Sequence, residues 1–422
     1  MRGTVTCRIV LTVIAGSLLL AGIAASETPE ALKEKALAEF DKADYRAAIA
    51  YLQQALAASP NDAEVYYYLG YFTHFLCYDS VPLPGFGRDK SDEVLGYLRR
   101  AVELDPDLGN AYYFIGAEYG ARAREEMRDG KAARAAEQFR KGREEGGYPA
   151  WMLEFGRNLL KSCERGAILF TGGDADTNPV QYLQLVDGYR TDVTAIPMAL
   201  LERPWFVLLL KNGLEGAVRA APLSWSEPQI MDMHPYKWQT NTIQIPIAES
   251  ARRKYGTKNE SIDWELAGEG GRLSAGRAAL ADILISNRFE RPVYFSSGVS
   301  AAVLDGLTRY VQVSGIARRV LPVEAPSDVD ADATAKLMLE PANFEAVPTV
   351  RTQDMPRVSS LLVNYYASYL YLALHYSRAD DVDMVETILG AMKNNVPADI
   401  VPMPESLRQS VQKFENWITE NG

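Results

Sequence analysis

Apolar positions along residues 29–147 recur three and four residues apart, with charged positions between them, which predicts amphipathic helices. Ala48, Leu52 and Ala55 mark one inner face. Val94, Leu98 and Ala101 mark a second, and Ala135, Phe139 and Gly142 a third. Tyr66, Leu69 and Gly70 return as Tyr112, Ile115 and Gly116, and Pro60 returns as Pro106, at one shared offset (106 − 60 = 46). The pattern predicts stacked helix pairs in which small residues let helices approach, while Leu and aromatic residues fill the grooves. Residues 77–90, with their Pro/Gly run VPLPGFGRDK, interrupt one pair, and residues 149–163 predict a helix that closes the stack.

The pattern then changes. Ala167-Ile168-Leu169-Phe170-Thr171 is a short continuous apolar run ended by Gly172-Gly173, as in a strand covered on both faces of a parallel sheet. Asn178 or Thr177 is the expected helix cap, and Pro179 the first helical residue. Val180, Leu183 and Val186 keep helical spacing, Gly188 ends the helix, and residues 192–196 read as the next strand. Residues 204–211 predict a short apolar helix and residues 224–247 an irregular stretch rich in Trp, Pro, Met and Asn. A helix over 274–286 leads to a third strand over 293–298, and residues 307–313 and 318–321 extend the sheet.

Residues 322–350, rich in Pro, Asp and Ala, read as a linker or surface excursion. Helical spacing returns from Arg357, turns at Asp380-Asp381, runs back over 382–393, and closes with an amphipathic helix over 406–419.

Composition narrows the class. The chain has 422 residues and a net charge of −11, and no basic block that would neutralise phosphates, which argues against nucleic-acid binding. Arg2 and Arg8, an apolar run over 9–23 and the small residues Ala24-Ala25-Ser26 predict a signal peptide over residues 1–26. Position 23 is Ile, so the cysteine of a lipoprotein signal is missing. The expected location is periplasmic or secreted, not integral to a membrane once the signal is cleaved. Cys77 and Cys163 remain after cleavage and are expected unpaired and buried. His74, His234 and His375 are isolated and show no zinc spacing.

Two resemblances follow from these motifs. Residues 29–147 resemble tetratricopeptide repeats, whose period of about 34 is here stretched by roughly 12 residues, the excess lying at 77–90. The runs LFTGGDADTNPVQYLQLVDGYRTDV, ALADILISNRFERPVYFSSG and NNVPADIVPMP resemble the soluble C-terminal region of bacterial membrane proteins related to protein O-mannosyltransferases. That resemblance covers about residues 163–422, a length of one or two domains. In that family the loop reads GDNDT, matching Gly173-Asp174-Ala175-Asp176-Thr177 with Ala in place of Asn. It implies a fold and a binding surface; the family's transferase chemistry belongs to a membrane portion for which this chain carries a repeat array instead. The expected fold class is α plus α/β. Its parts are a tetratricopeptide-like array with capping helix (27–163), a small Rossmann-like parallel three-layer α/β domain (164–325), a linker (326–350) and a C-terminal helical hairpin (351–422).

Candidate chemistry centres on the loop after the first strand, because ligands of open α/β sheets sit at the carboxyl ends of strands. Asp174, Asp176, Thr177, Asn178, Arg190, Asp192 and Arg291 are the candidate ligand-binding residues. Asp174 and Asp176 resemble the paired carboxylates that hold Mg²⁺, Mn²⁺ or Ca²⁺ against a diphosphate, with Asp192 converging and Asn178 adding an oxygen. The plainer reading makes them turn formers and helix-start stabilisers, and Arg190 and Arg291 their ion-pair partners, with no cofactor. No G-x-S-x-G elbow is present. Tyr66, Tyr112 and Tyr119 are candidates for a groove on the repeats. The preferred reading is an exported scaffold that binds protein or peptide through the repeats, its α/β domain binding a small ligand or docking on envelope glycosylation machinery. The alternative is a metal-dependent glycan-active enzyme using Asp174 and Asp176.

Overall fold

The computed structural model describes residues 27–78 and 88–422. The signal peptide expected over 1–26, and most of the loop expected within 77–90, lie outside the described residues. The chain divides into two compact units after Pro60.

In the first unit, α1 (Pro29–Asp41) and α2 (Tyr45–Ala58) form an antiparallel pair. Thr28 Oγ1 accepts from the Ala31 N–H at 3.2 Å and Asp44 Oδ1 from the Ala47 N–H at 3.0 Å, so both helices start on capped amides. Leu32, Ala36, Ala48, Leu52 and Ala55 form the seam.

The second unit opens with α3 (Ala63–Tyr78) paired to α4 (Arg88–Leu104), then α5 (Gly109–Arg128) paired to α6 (Ala132–Glu144), and then α7 (Ala150–Lys161). The residues that repeat at an offset of 46 are where backbone meets a neighbour. A Cβ on Gly70 would lie 2.7 Å from Leu98 Cδ2, and one on Gly116 would lie 2.6 Å from the Gly147 carbonyl oxygen. A buried polar chain crosses these helices. His74 Nδ1 meets Glu118 Oε1 at 2.6 Å, Ser91 donates to Glu118 Oε2 at 2.7 Å, and Arg122 Nε donates to Ser91 Oγ at 2.6 Å.

The α/β part follows: β1 (Ile168–Thr171), α8 (Asp174–Leu185), β2 (Thr194–Pro197), α9 (Pro204–Asn212) and α10 (Glu227–Met231). The expected irregular stretch also contains β3 (Tyr236–Lys237) and β4 (Asn241–Pro246). After α11 (Glu249–Tyr255), β5 (Ser261–Leu266) pairs antiparallel with β4, and β6 (Arg272–Leu273) with β3. Then come α12 (Ala275–Asn287), β7 (Val293–Ser296), β8 (Val311–Ser314) and β9 (Ala317–Val320). The main sheet has the order β2-β1-β7-β9-β8. The first three strands are parallel, with Ile168 opposite both Thr194 and Val293. The β8–β9 hairpin extends the expected parallel core with antiparallel strands, so the sheet is mixed.

Side chains alternate across this sheet. Ile168, Phe170, Val293 and Phe295 face a core shared with α9, α12 and Trp264, and Phe170 stacks on Phe295 at 4.7 Å. Leu169 and Tyr294 face the other core, shared with α7, α8 and the C-terminal helices. Burial on both faces explains the unbroken apolar run of β1.

Residues 326–350, expected as a linker, are instead part of the packed body. They form α13 (Ala331–Met338), and Phe344 and Val347 are buried in the second core. Asn158 of α7 donates to the Asn343 carbonyl at 2.6 Å. Pro and Asp density reflected turns and helix starts here, as where Asp330 caps Ala333 at 3.1 Å. The chain ends in α14 (Met355–Leu361), α15 (Val363–Ser377), α16 (Val382–Asn395) and α17 (Glu405–Asn421). Tyr365, Tyr366 and Tyr369 of α15 are fully buried. Their hydroxyls are spoken for: Tyr366 donates to the Val401 carbonyl at 2.7 Å, Tyr369 to the Met338 carbonyl at 2.6 Å, and Tyr365 accepts from Asn158 at 2.9 Å. No helix among the described residues is long and apolar enough to cross a membrane.

Two glycines test this packing in opposite directions. A methyl on Gly172 would collide with the Gly298 carbonyl oxygen, whereas one on Gly96, inside α4, would meet nothing within 4 Å. Gly172→Ala is expected to lower unfolding free energy in urea by about 2–3 kcal/mol, and Gly96→Ala to raise it by about 0.5–1 kcal/mol.

Candidate functional site at the two ends of the parallel strands

The candidate residues separate into two groups at opposite ends of the sheet. Asp174, Asp176, Thr177 and Asn178 follow β1 and lie at its carboxyl end. Arg190 and Asp192 precede β2, and Arg291 precedes β7, so they lie at the amino end of these parallel strands. Asp192 therefore does not converge on Asp174 and Asp176. The expected ion pairs from Arg190 and Arg291 to those two aspartates do not form either.

At the carboxyl end, α8 begins at Asp174, earlier than Thr177 or Asn178 would start it, and Pro179 sits inside the helix. The reason is Asp176. Its carboxylate, 2 % exposed, accepts from the Gly172 N–H at 2.8 Å and the Gly173 N–H at 2.9 Å. The Ser296 hydroxyl at the end of β7 donates to the same group. An acid at the third helical position that reaches back to the cap amide holds the helix start, and the free amides there favour negative charge. Burial raises the Asp176 pKa, with the Gly172, Ser296 and Gly173 hydrogen bonds pulling against it. A Cβ on Gly298 would lie 2.7 Å from Asp176 Oδ2, so two glycine turns close over the carboxylate.

The neighbours of Asp176 are also engaged. Thr177 and Thr171 share a hydroxyl hydrogen bond of 2.7 Å. Arg124 of α5 donates to Asp174 at 2.9 Å and to Asn178 Oδ1 at 2.7 Å. Asp174 keeps 31 % exposure on its side chain, the only partial opening in this group.

At the amino end the arginines hold backbone. Arg190 pairs with Asp192 at 2.8 Å and donates to the carbonyls of Leu160 at 2.7 Å and Cys163 at 3.0 Å, closing the C-terminal turn of α7. Asp192 also accepts from the Gly166 N–H at 2.7 Å, and the Arg190 guanidinium beside it holds its carboxyl down to about 2. Arg291 donates to the carbonyls of Gly166 at 2.7 Å, Ala220 at 2.8 Å and Ala167 at 3.0 Å. Burial, with Arg219 nearby, pushes its guanidinium down to about 10.

On the helix pairs, Tyr119 is 4 % exposed and its hydroxyl donates to Glu145 at 2.6 Å while accepting from Arg99 at 2.9 Å. It is a packed residue and cannot line a groove. Tyr66 and Tyr112 are half-buried. Cys77 and Cys163 are both free thiols; Cys77 is half-buried, and burial pushes the Cys163 thiol up to about 12.

Among the described residues, no three His, Cys, Asp or Glu side chains gather where a metal ion could be held. A helix-start role for this loop was within reach of the sequence, from the aspartates that follow Gly-Gly; the pairing of Arg190 with Asp192 was not. Arg124 and Ser296 were missed because each is long in sequence from its partner.

With the geometry in place, comparison with known families adds one finding. Residues 152–260 and 239–336 match the family model described as TMEM260-associated domain 2. This region is similar to that family. The two overlapping matches begin in α7 and end in α13, and so take in the whole sheet and both groups of residues above. No curated protein matches the chain.

The geometry predicts what removing the carboxylate does. Asp176→Ala strands two amides and a hydroxyl, and its urea midpoint is expected to fall by the equivalent of about 3–5 kcal/mol. Asp176→Asn keeps one acceptor but sets its NH₂ against a backbone N–H donor, and is expected to cost about 2–3 kcal/mol.

Proposed function

We propose that this chain is an exported scaffold whose tetratricopeptide-like helix pairs bind a protein or peptide. Its α/β part binds a small ligand or docks on envelope glycosylation machinery, in a periplasmic or secreted setting reached through the segment at 1–26. One observation carries the preference for binding over bond-making: the carboxylates best placed for chemistry are committed to structure. Asp176 spends its oxygens on Gly172, Gly173 and Ser296, and Asp174 is paired with Arg124. A catalytic ion would have to displace these bonds. The repeat-like pairs support the scaffold reading, since such arrays present side chains on a surface built by backbone stacking.

The metal-dependent glycan-active alternative uses Asp174 and Asp176 around one cation; Asp192, the further carboxylate it could draw on, lies at the far end of the sheet, salt-bridged to Arg190. Titration calorimetry with Mn²⁺, Mg²⁺ and Ca²⁺ is expected to give no binding heat; saturable heat lost in Asp176→Asn would restore the enzyme reading.

The scaffold reading is tested by cross-linking the purified chain in envelope extract and comparing it with a Tyr66→Ala/Tyr112→Ala variant. The partner band is expected to fall at least tenfold in the variant while circular dichroism stays unchanged. Equal recovery by both proteins would count against partner binding on this face.

A further inference from the structure

A cavity of about 490 Å³ lies where the end of α5, α8, β2, α9 and the turn at 213–220 meet. Its volume is within the range of small-molecule sites. Two glutamines of α8 line it, Gln181 and Gln184, which are 5 % and 7 % exposed. Gln184 Nε2 donates to the Arg190 carbonyl at 3.0 Å and to the Val193 carbonyl at 2.8 Å. Gln181 Oε1 accepts from Arg124 Nη1 at 3.3 Å. These bonds fix which way each amide faces. Carbonyls only accept, so the Gln184 nitrogen must stay on them; a guanidinium only donates, so the Gln181 oxygen must stay on it.

The other half of each amide is free. Among the described residues nothing donates to Gln184 Oε1, and nothing accepts from Gln181 Nε2. Neither atom is among the unpartnered polar atoms closed off from solvent, so both keep access to the cavity that their residues line. Residues three apart on a helix are neighbours, so the cavity presents one acceptor beside one donor, with their polarity locked.

The rest of the wall decides what kind of molecule suits this pair. Met127, Val193 and Phe206 are almost fully buried and form an apolar side. The charged lining residues, Glu215 and Arg219, are both exposed, and Arg219 donates to the Asp192 carbonyl. An ion entering here would leave water without a buried counter-charge to receive it. A hydrocarbon would leave both amide atoms unpaired. A trans secondary amide points its N–H and C=O in opposite directions and reaches one of the two atoms. A hydroxyl both donates and accepts, and two on adjacent carbons lie side by side, with C–H groups behind them for the apolar wall.

We propose that this cavity binds a neutral polyhydroxy compound, one hydroxyl donating to Gln184 Oε1 and its neighbour accepting from Gln181 Nε2. Sugars and non-sugar polyols share this chemistry. The site deepens the small-ligand reading of the α/β part, on which it rests, and is separate from the partner face of the helix pairs. No charge on the ligand is involved, so its affinity does not change with salt, whereas that of an ion held by exposed charges falls.

Calorimetric titration of the full chain with glucose, galactose, mannose, N-acetylglucosamine, myo-inositol and glycerol tests the assignment and separates the two sources. At least one is expected to give saturable heat at or below about 10 mM, with affinity unchanged between about 0.05 and 0.5 M NaCl. Gln181→Glu keeps the acceptor for Arg124 and turns the free donor into an acceptor, and is expected to weaken binding by about tenfold or more. Ala217→Leu, which adds bulk to the turn lining the cavity, is expected to weaken it as well and serves if Gln181→Glu fails to fold. No saturable heat from any of the six would overturn the proposal, as would binding that survives both substitutions or weakens with salt. Acetamide binding in place of the polyols would leave a small-ligand site standing and overturn its assignment to hydroxyl chemistry.

Discussion

A carboxylate with almost no access to water holds the centre of this protein. Burying a charge is costly unless the surroundings replace the water it loses. Here two backbone amides from the Gly172-Gly173 turn and one hydroxyl from the end of β7 do so. The same bonds fix where β1 stops, where α8 starts, and how the β7 turn lies against both. Glycine at 172 and 298 follows from the close approach, since a side chain at either would occupy the space of a carbonyl or of the carboxylate. Asp176 thus acts as a joint between elements distant in sequence.

Other polar side chains repeat this logic at the edges of the sheet. Arg124 ties α5 to the first turns of α8, Arg190 ties the end of α7 to the entry of β2, and Arg291 ties the entry of β7 to β1 and beyond. Asn158 joins α7 to the turn at Asn343 and to Tyr365 of α15. Each is a long or branched polar group that satisfies several backbone carbonyls or side chains at once, where no regular hydrogen-bond ladder reaches. The arginine and aspartate motifs are therefore a polar skeleton connecting the helical layer, the sheet and the C-terminal helices of this unit.

Much of this fold was legible in the residue pattern. The buried seams Val94–Leu98–Ala101 and Ala135–Phe139–Gly142 follow helical spacing, and Ile168–Thr171 follows the continuous run of a doubly covered strand. What escaped was non-local. Nothing in a chain read in order shows that Arg124 reaches Asp174, or that Ser296 meets Asp176 across 120 positions. The supposed linker misled because turn-forming residues are equally at home in short helices packed on a core, where Phe344 and Val347 do the burying. Candidate site residues taken from adjacent motifs lie apart, because the turns before and after a strand in a β-α-β unit fall at opposite ends of parallel strands.

Carboxyl carbon NMR of selectively labelled protein, followed through an acid titration, probes the joint itself. A buried structural carboxylate at 176 titrates above the ordinary aspartate range, and its resonance stays unmoved when Mg²⁺ is added. A shift on adding the ion would mean an accessible, cation-binding group, and would contradict the account.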